Sequence, residues 1–245
     1  MNFSNRNIIK HDYSLTFSKY KLSALSIDLL MSLISEINNE DKEFNIYEFK
    51  LSDLEKKLNK KIEKKYLINA ARELRNTEII ITNEDQETII TSWVTTIIFN
   101  SDNSKSTIFK LKIDNDLKPY LLQLKNNFVL YYLNEISSLQ SEYTKRIYTL
   151  FRQKAKIKKF KINVEYLMNI LCVPESYNQY KIFKSRVINN SIKNINEKTS
   201  LDVSFKEVKN GRKVIELEFF IKEKKNNKKF NNKNGVKALN NWLEK

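Results

Sequence analysis

Apolar residues recur along this chain with two periods, one helical and one alternating. Leu22, Leu25, Leu29, Leu30, Leu33, Ile34 and Ile37 fall at helical spacing after a polar lead-in, which predicts an opening helix. Residues 44–51 read as a short strand, and Ser52 stands as the cap of a helix carrying Leu54 and Leu58. A second helix is predicted over 63–75, with Leu67, Ile68, Ala71 and Leu74 inward. Two β-rich runs, 78–82 and 88–99, flank the polar stretch 83–87 and predict a hairpin. A strand over 107–113 and a helix near 114–125 follow.

The second half repeats this order. Leu139, Tyr143, Ile147, Leu150 and Phe151 mark an opening helix. Phe160-Lys161-Ile162 echoes Phe49-Lys50-Leu51, and Asn163 takes the capping place of Ser52. Val164, Leu167, Met168 and Leu171 build the next helix, Pro174 makes a turn, and a long helix is predicted over 179–197. Runs 201–208 and 213–222 form a hairpin about Asn210-Gly211, with Ile215, Leu217, Phe219 and Ile221 inward. Helix, strand, helix, helix, hairpin is the order of a winged helix-turn-helix, present twice. The expected fold is α+β: two tandem winged helix-turn-helix domains related by pseudo-duplication, over 1–126 and 127–223, with a basic flexible tail over 224–245. The apolar stretch 128–133 at the boundary predicts lobes that pack together.

Charge separates the halves. Residues 1–125 carry 19 Lys/Arg against 18 Asp/Glu; residues 126–245 carry 25 against 11, within a net charge of +15. Such asymmetry points to a polyanionic partner for the second half. RNA, heparin-like polymers or an anionic membrane would satisfy charge alone. No apolar run approaches the roughly 18–20 residues that span a bilayer, and the first twenty residues lack the pattern of a signal peptide. With Cys172 as the single cysteine, a cytoplasmic protein without a membrane partner is expected.

Scarce residue types narrow the chemistry. One histidine, His11, excludes a Cys/His zinc site, the paired histidines of rolling-circle endonucleases, and the His-and-Arg surround of a tyrosine recombinase. Gly211 and Gly235 are the only glycines, so no glycine-rich loop can cradle a nucleotide. Asp114/Asp116 fit the start of a helix and Glu216/Glu218 the solvent face of a strand. No catalytic residue, cofactor or metal is expected, and a binding protein rather than an enzyme follows.

On a helical wheel of 180–196, Tyr180, Phe183, Val187, Ile188, Ile192 and Ile195 share the core side. The opposite side carries Ser185, Arg186, Asn189, Asn190 and Lys193, with Ile182 among them; Lys181 and Lys184 flank its first turn. No acid interrupts that face before Glu197. Arg can grip guanine, Asn adenine, and Lys phosphate, so the face suits a major groove. The hairpin tip adds Lys209, Arg212 and Lys213 beside Asn210 and Gly211. In the first half the tip 83–87 is acidic, and its preceding helix mixes Lys64, Lys65, Arg72 and Arg75 with Glu63 and Glu73. That lobe reads as a weaker DNA contact whose β surface serves protein contacts. The run 88–99 is either a pairing edge for a second copy or an interior strand. Ala238, Leu239, Trp242 and Leu243 in the tail suggest a short amphipathic turn or a frayed end.

Four stretches resemble the iteron-binding plasmid replication initiators, the Rep family with tandem winged helices. They are Leu22-Ser23-Ala24-Leu25-Ser26-Ile27; Tyr143-Thr144-Lys145-Arg146-Ile147-Tyr148-Thr149-Leu150-Phe151; Phe160 through Leu167; and Tyr180 through Ile188 leading to Asn196. The resemblance spans roughly 10–222. The family often has a denser arginine run where this chain has Lys184-Ser185-Arg186, which implies a different base sequence read. The resemblance implies monomers on directly repeated origin DNA, local opening of AT-rich duplex, and recruitment of host replication proteins. It also implies a homodimer, in equilibrium with monomer, that represses its own promoter. A winged-helix transcriptional regulator with no replication role competes, and a tyrosine-using relaxase or recombinase is the enzymatic rival.

Overall fold

The computed structural model describes residues 7–38, 40–83, 85–100 and 107–224. The tail beyond Lys224 and Glu84 of the predicted acidic tip lie outside them. The chain opens with β1 (Ile8–Asp12), and the Asp12 carboxylate caps α1 (Tyr13–Phe17) by accepting from the Ser14 amide at 2.8 Å. In the first lobe follow α2 (Ala24–Ile34), β2 (Ile46–Lys50), α3 (Leu51–Leu58), α4 (Lys64–Asn76), β3 (Glu78–Thr82), β4 (Thr88–Ser92), β5 (Val94–Phe99) and β6 (Ile108–Ile113). A 3-10 turn and α5 (Lys118–Leu121) lead to β7 (Phe128–Tyr132) and α6 (Leu133–Ser138). The second lobe is built on α7 (Glu142–Lys154), β8 (Lys159–Asn163) and α8 (Val164–Ile170). Then come α9 (Tyr180–Phe183), a π-helical turn (Lys184–Asn189), α10 (Asn190–Lys198), β9 (Leu201–Asn210) and β10 (Lys213–Glu223).

The internal duplication is legible in the sheets. One antiparallel sheet has the order β2-β6-β5, the other β8-β10-β9. Each carries an aromatic row across its three strands. Phe49 and Phe99 both stand opposite Phe109; Phe160 and Phe205 both stand opposite Phe219. Ring centroids lie 5.2 and 5.9 Å apart in the first row and 5.4 and 5.9 Å in the second. Such cross-strand pairs hold the register.

Three local expectations are corrected. Asn163 caps α8 by accepting from the Tyr166 amide, but Ser52 does not cap α3, which begins at Leu51 with no side-chain cap. The Leu51 amide instead donates to the Thr107 carbonyl at 2.9 Å, so the strand runs directly into the helix. The run 88–99 is two strands in two sheets, broken at Trp93. The Trp93 indole is buried edge-on against Tyr20, and its amide donates to the Leu74 carbonyl, which turns the chain from one sheet to the other. The counterpart of the β9–β10 wing is therefore β5–β6, and the acid-tipped β3–β4 hairpin is an addition without a partner in the second lobe. Lastly, the helix near 114–125 is a 3-10 turn and the four-residue α5, started by Asp114 accepting from the Asp116 amide.

The lobes share one continuous core. β7 pairs antiparallel with β1, with Ile9 opposite Tyr131, so residues on both sides of the expected 126/127 boundary lie in one sheet. α7 carries two buried cations. Lys145, fully buried, donates to Asp28 Oδ1 at 2.6 Å and to the Ile136 carbonyl at 2.7 Å; Lys60 takes the other Asp28 oxygen. Burial pushes the Lys145 ammonium down to about 8 against the pull of Asp28. Arg146 donates to the Ser18 and Tyr20 carbonyls of the first lobe at 2.5 and 2.6 Å, and to the Ile170 carbonyl of α8 at 2.6 Å. Its guanidinium lies 3.8 Å from the centre of the Tyr20 ring. Buried Glu135 accepts from the Tyr148 hydroxyl and from the Ser200 amide ahead of β9. These ties fix the lobes relative to one another.

Candidate nucleic-acid interface

The helical stretch from Tyr180 to Lys198 seats Phe183, Val187, Ile188, Ser191 and Ile195 in the core. Ser191 is a polar residue on the buried side, and its hydroxyl meets that of Thr144 on α7 at 3.1 Å. It docks the helix on α7, a role that its place within the predicted core stripe could have signalled. Lys181, Ser185, Arg186, Asn189, Asn190 and Lys193 are all exposed on the outer side. The structure thus brings these six expected residues to one face.

That face is not wound as one regular α-helix. Lys184–Asn189 form a π-helical turn, which takes up about one extra residue per turn and frees carbonyls from α-type bonding. The Asn190 amide nitrogen takes one, donating to the Arg186 carbonyl at 3.0 Å, and the Asn194 amide donates to the Asn190 carbonyl at 2.8 Å. Asn190 thus presents Oδ1 outward as an acceptor. Arg186 lies with its guanidinium 5.7 Å from the Tyr177 ring centre, an aromatic rest supplied by the 3-10 turn before α9.

Lys184 is the exception among the expected contacts. Its ammonium is half-buried and donates to Glu207 Oε1 at 2.7 Å, 5.9 Å from the Phe205 ring centre. The Tyr180 hydroxyl donates to the same oxygen at 2.8 Å. Hydrogen bonds from Lys184 and Tyr180 hold the Glu207 carboxyl below its ordinary range. Burial and this carboxylate push the Tyr180 hydroxyl up. Neither Tyr180 nor Glu207 was assigned to the interface by sequence. Glu207 sits in a strand of alternating polarity, so its aim toward the helix appears only with the register of β9.

The wing places Lys209, Arg212 and Lys213 in solvent. Asn210 and Lys213 pair across it, so its two-residue turn is Gly211-Arg212, one position later than Asn210-Gly211. Gly211 has φ of +58°, the left-handed conformation that glycine adopts without strain. Lys213 pairs with Glu165 of α8 at 2.7 Å, both side chains exposed, and Lys209 stands 3.9 Å from Glu207.

In the first lobe, α4 exposes Lys65, Tyr66, Asn69, Arg72, Arg75 and Asn76. Glu73 does not share that face. Its carboxylate turns to the start of α2, accepting from the Ser23 amide at 2.9 Å and from the Ser23 and Ser26 hydroxyls. The mixed-sign face expected for this helix is thus an acid-free one after its N-terminal Glu63. Asp85 and Glu87 are exposed at the tip of the β3–β4 hairpin, which belongs to a different sheet from the counterpart of the wing. Among the described residues no cluster of three or more His, Cys, Asp or Glu could hold a metal, and no helix is long and apolar enough to cross a membrane.

The architecture defines a tandem winged-helix protein with a cationic helix face and wing on its second lobe. Family models place it further. Residues 8–152 match the first winged helix, WH1, of the initiator replication proteins, and residues 163–221 match WH2 of the initiator Rep proteins. The chain belongs to the initiator replication protein family. The first family model extends past residue 126 and into α7, in keeping with the pairing of β7 to β1. The membership favours a replication role over a regulator without one. The crystal structure of the Pi initiator protein in complex with iteron DNA is similar in fold: TM-score 0.70, 20% identity, 92% of this chain and 100% of that one covered. A crystal structure of RctB domains 2-3 is similar at TM-score 0.46 and 12% identity over 81% of each chain, too distant to carry an argument.

Proposed function

We propose that the chain initiates plasmid replication by binding repeated origin DNA through the α9–α10 face and the β9–β10 wing. The observation that carries this is the acid-free outer face of Lys181, Ser185, Arg186, Asn189, Asn190 and Lys193 beside a Lys/Arg-tipped wing, in a chain of the initiator family. The Pi protein, similar in fold over the full length of its chain, is bound to iteron DNA. In this reading Arg186 and Asn189 contact base edges, and Asn190 accepts from a base amino group. Lys181, Lys193, Lys209, Arg212 and Lys213 meet phosphates, and Ser185 hydrogen-bonds at the groove wall. The α4 face of the first lobe adds a second, weaker contact with the same duplex. Its sheet edge at β5 serves a homodimer in equilibrium with monomer, and the dimer represses the promoter of its own gene. The residues beyond 224 add nonspecific affinity. The protein works in the cytoplasm by binding, bending and opening duplex and by recruiting host replication proteins, with no cofactor and no covalent step.

The test is a footprint across DNA beside the gene, together with plasmid maintenance. Protection of several tandem repeats, and loss of the plasmid when the gene is deleted, are expected. Protection of an inverted repeat alone, with continued replication, would exclude initiation. Arg186→Ala should weaken binding to the repeat by about 1–3 kcal/mol and relax sequence preference. An equal loss on random duplex would make Arg186 a phosphate contact.

A further inference from the structure

A carboxylate stands between the reading helix and the wing. Glu207, on the wing strand β9, faces the first turn of the reading helix with its side chain 22% exposed. It accepts from Tyr180 and Lys184 on one oxygen, and Lys209 approaches the other at 3.9 Å. An acid here opposes the attraction for a polyanion, so its geometry needs a reason beyond plain solvation. Structural stability is a weak one: a partly exposed Lys–Glu pair contributes little. The geometry is that of a phosphate site already filled. An ammonium and a hydroxyl converge on one anionic oxygen, the donor set that a backbone phosphate would otherwise attract.

Taking the helix and wing as the DNA surface, we infer that Glu207 is a specificity-determining residue that stands in for a phosphate. It keeps Lys184 from gripping any duplex backbone and ties the N-terminal turn of the reading helix to the wing. Nonspecific affinity is set by the number of cations free to neutralise phosphates; sequence preference is set by Arg186 and the asparagines. Withdrawing one cation from the first group lowers binding to all duplexes about equally, so the preference itself rests on how the helix is seated. Fixing Tyr180 and Lys184 to β9 also fixes the depth at which the helix meets the groove, so a wrong base is not accommodated by tilting. Glu207 therefore acts through Lys184 and Tyr180 as a positioning residue and touches no base.

The experiment compares wild type with Glu207→Gln, an isosteric change that keeps an acceptor for Tyr180. The probes are poly(dI-dC) and a duplex enriched by the wild-type chain from a randomised library. With Lys184 released, the slope of log affinity against log salt on poly(dI-dC) should steepen by about 0.9, an extra loss of roughly 3.5-fold between 50 and 200 mM salt. The ratio of enriched to poly(dI-dC) affinity should fall, and Lys184→Gln in the E207Q background should restore the wild-type slope. An unchanged slope in E207Q, or the same steepening in the double variant, would overturn the inference. Lys184→Gln alone puts the question independently of whether E207Q folds. A slope on poly(dI-dC) unchanged from wild type supports the inference, and one flattened by about 0.9 refutes it. R186A on both probes separates the two layers. If it loses no preference for the enriched duplex, the assignment of the DNA surface fails. If it loses preference while E207Q behaves as wild type, only the role of Glu207 fails.

Discussion

Replacing Arg146 by Ala removes a side chain that bonds backbone on both sides of the lobe junction. Three carbonyls lose a charged donor: Ser18 and Tyr20 of the first lobe and Ile170 of α8. A buried acceptor left without its partner costs about 1–3 kcal/mol, which for three sites sets an upper range near 9 kcal/mol. Two effects bring this down. A carbonyl has a second lone pair that other donors can use. A cavity of about 270 Å³ lined by Tyr20, Ser23, Glu73, Tyr143 and Arg146 admits water to the vacated position. Loss of the guanidinium–Tyr20 contact at 3.8 Å adds about 1 kcal/mol. The expected cost is thus about 3–4 kcal/mol, read as a fall in the urea midpoint at constant slope. Arg146→Lys should recover less than half, since one ammonium cannot reach all three carbonyls, which come from two segments in different lobes. A loss below about 1 kcal/mol in R146A, or full rescue by R146K, would refute this account. DNA binding supplies a second readout. If Arg146 holds the reading helix of each lobe at a set distance, R146A should weaken binding to the repeat more than to random duplex.

Two further outcomes follow from buried ionisable groups. His11 is buried, its Nδ1 donating to the Asp12 carbonyl at 2.8 Å and Nε2 meeting the Tyr131 hydroxyl at 3.1 Å; burial pushes its pKa from 6.5 down to about 4. The unfolded chain therefore binds the proton first, so stability is fully present above pH 6.5 and falls by about 3 kcal/mol as pH drops from 6.5 to about 4. His11 is the only histidine, so His11→Gln should abolish the slope between pH 6.5 and 5.5 in urea titrations; a retained slope would place it elsewhere. Lys145→Met leaves Asp28 buried with Lys60 as its remaining ion partner and should cost about 3 kcal/mol in the same assay. Adding Asp28→Asn should restore part of that loss, because the stranded charge goes with it; a double variant less stable than K145M would contradict this.

The shared helix, strand, helix, helix order of both lobes was legible because each apolar stripe buries against one partner. Phe160-Lys161-Ile162 and Phe49-Lys50-Leu51 even match in space, with Phe160 and Phe49 at equivalent places in their aromatic rows. What escaped depends on groups far apart in the chain. Trp93 breaks the run 88–99 because Leu74 and Tyr20 hold it, and no local pattern records them. Arg146 and Lys145 belong to the stretch that carried the family resemblance, but their burial is decided by acceptors more than a hundred residues away. Glu73 counted against the first lobe in a charge tally, until its hydrogen bonds to Ser23 and Ser26 removed it from the outer face. The exposed side of the reading helix was legible from its wheel. The commitment of Lys184 to Glu207 was not, because it depends on strand register.

The π-helical turn at Lys184–Asn189 makes the reading helix adjustable by length as well as by side-chain identity. A winding of this kind holds one residue more than the α-helical path requires, so removing one from Lys184–Asn189 could leave the flanking segments α9 and α10 in place. Residues Lys181 and Lys193 would keep their outlook, while the exposed set between them, proposed above to face the bases, would be re-dealt. Initiators that diverge by a single codon in this stretch would then part company in the DNA they answer to, without rebuilding the scaffold that carries the helix.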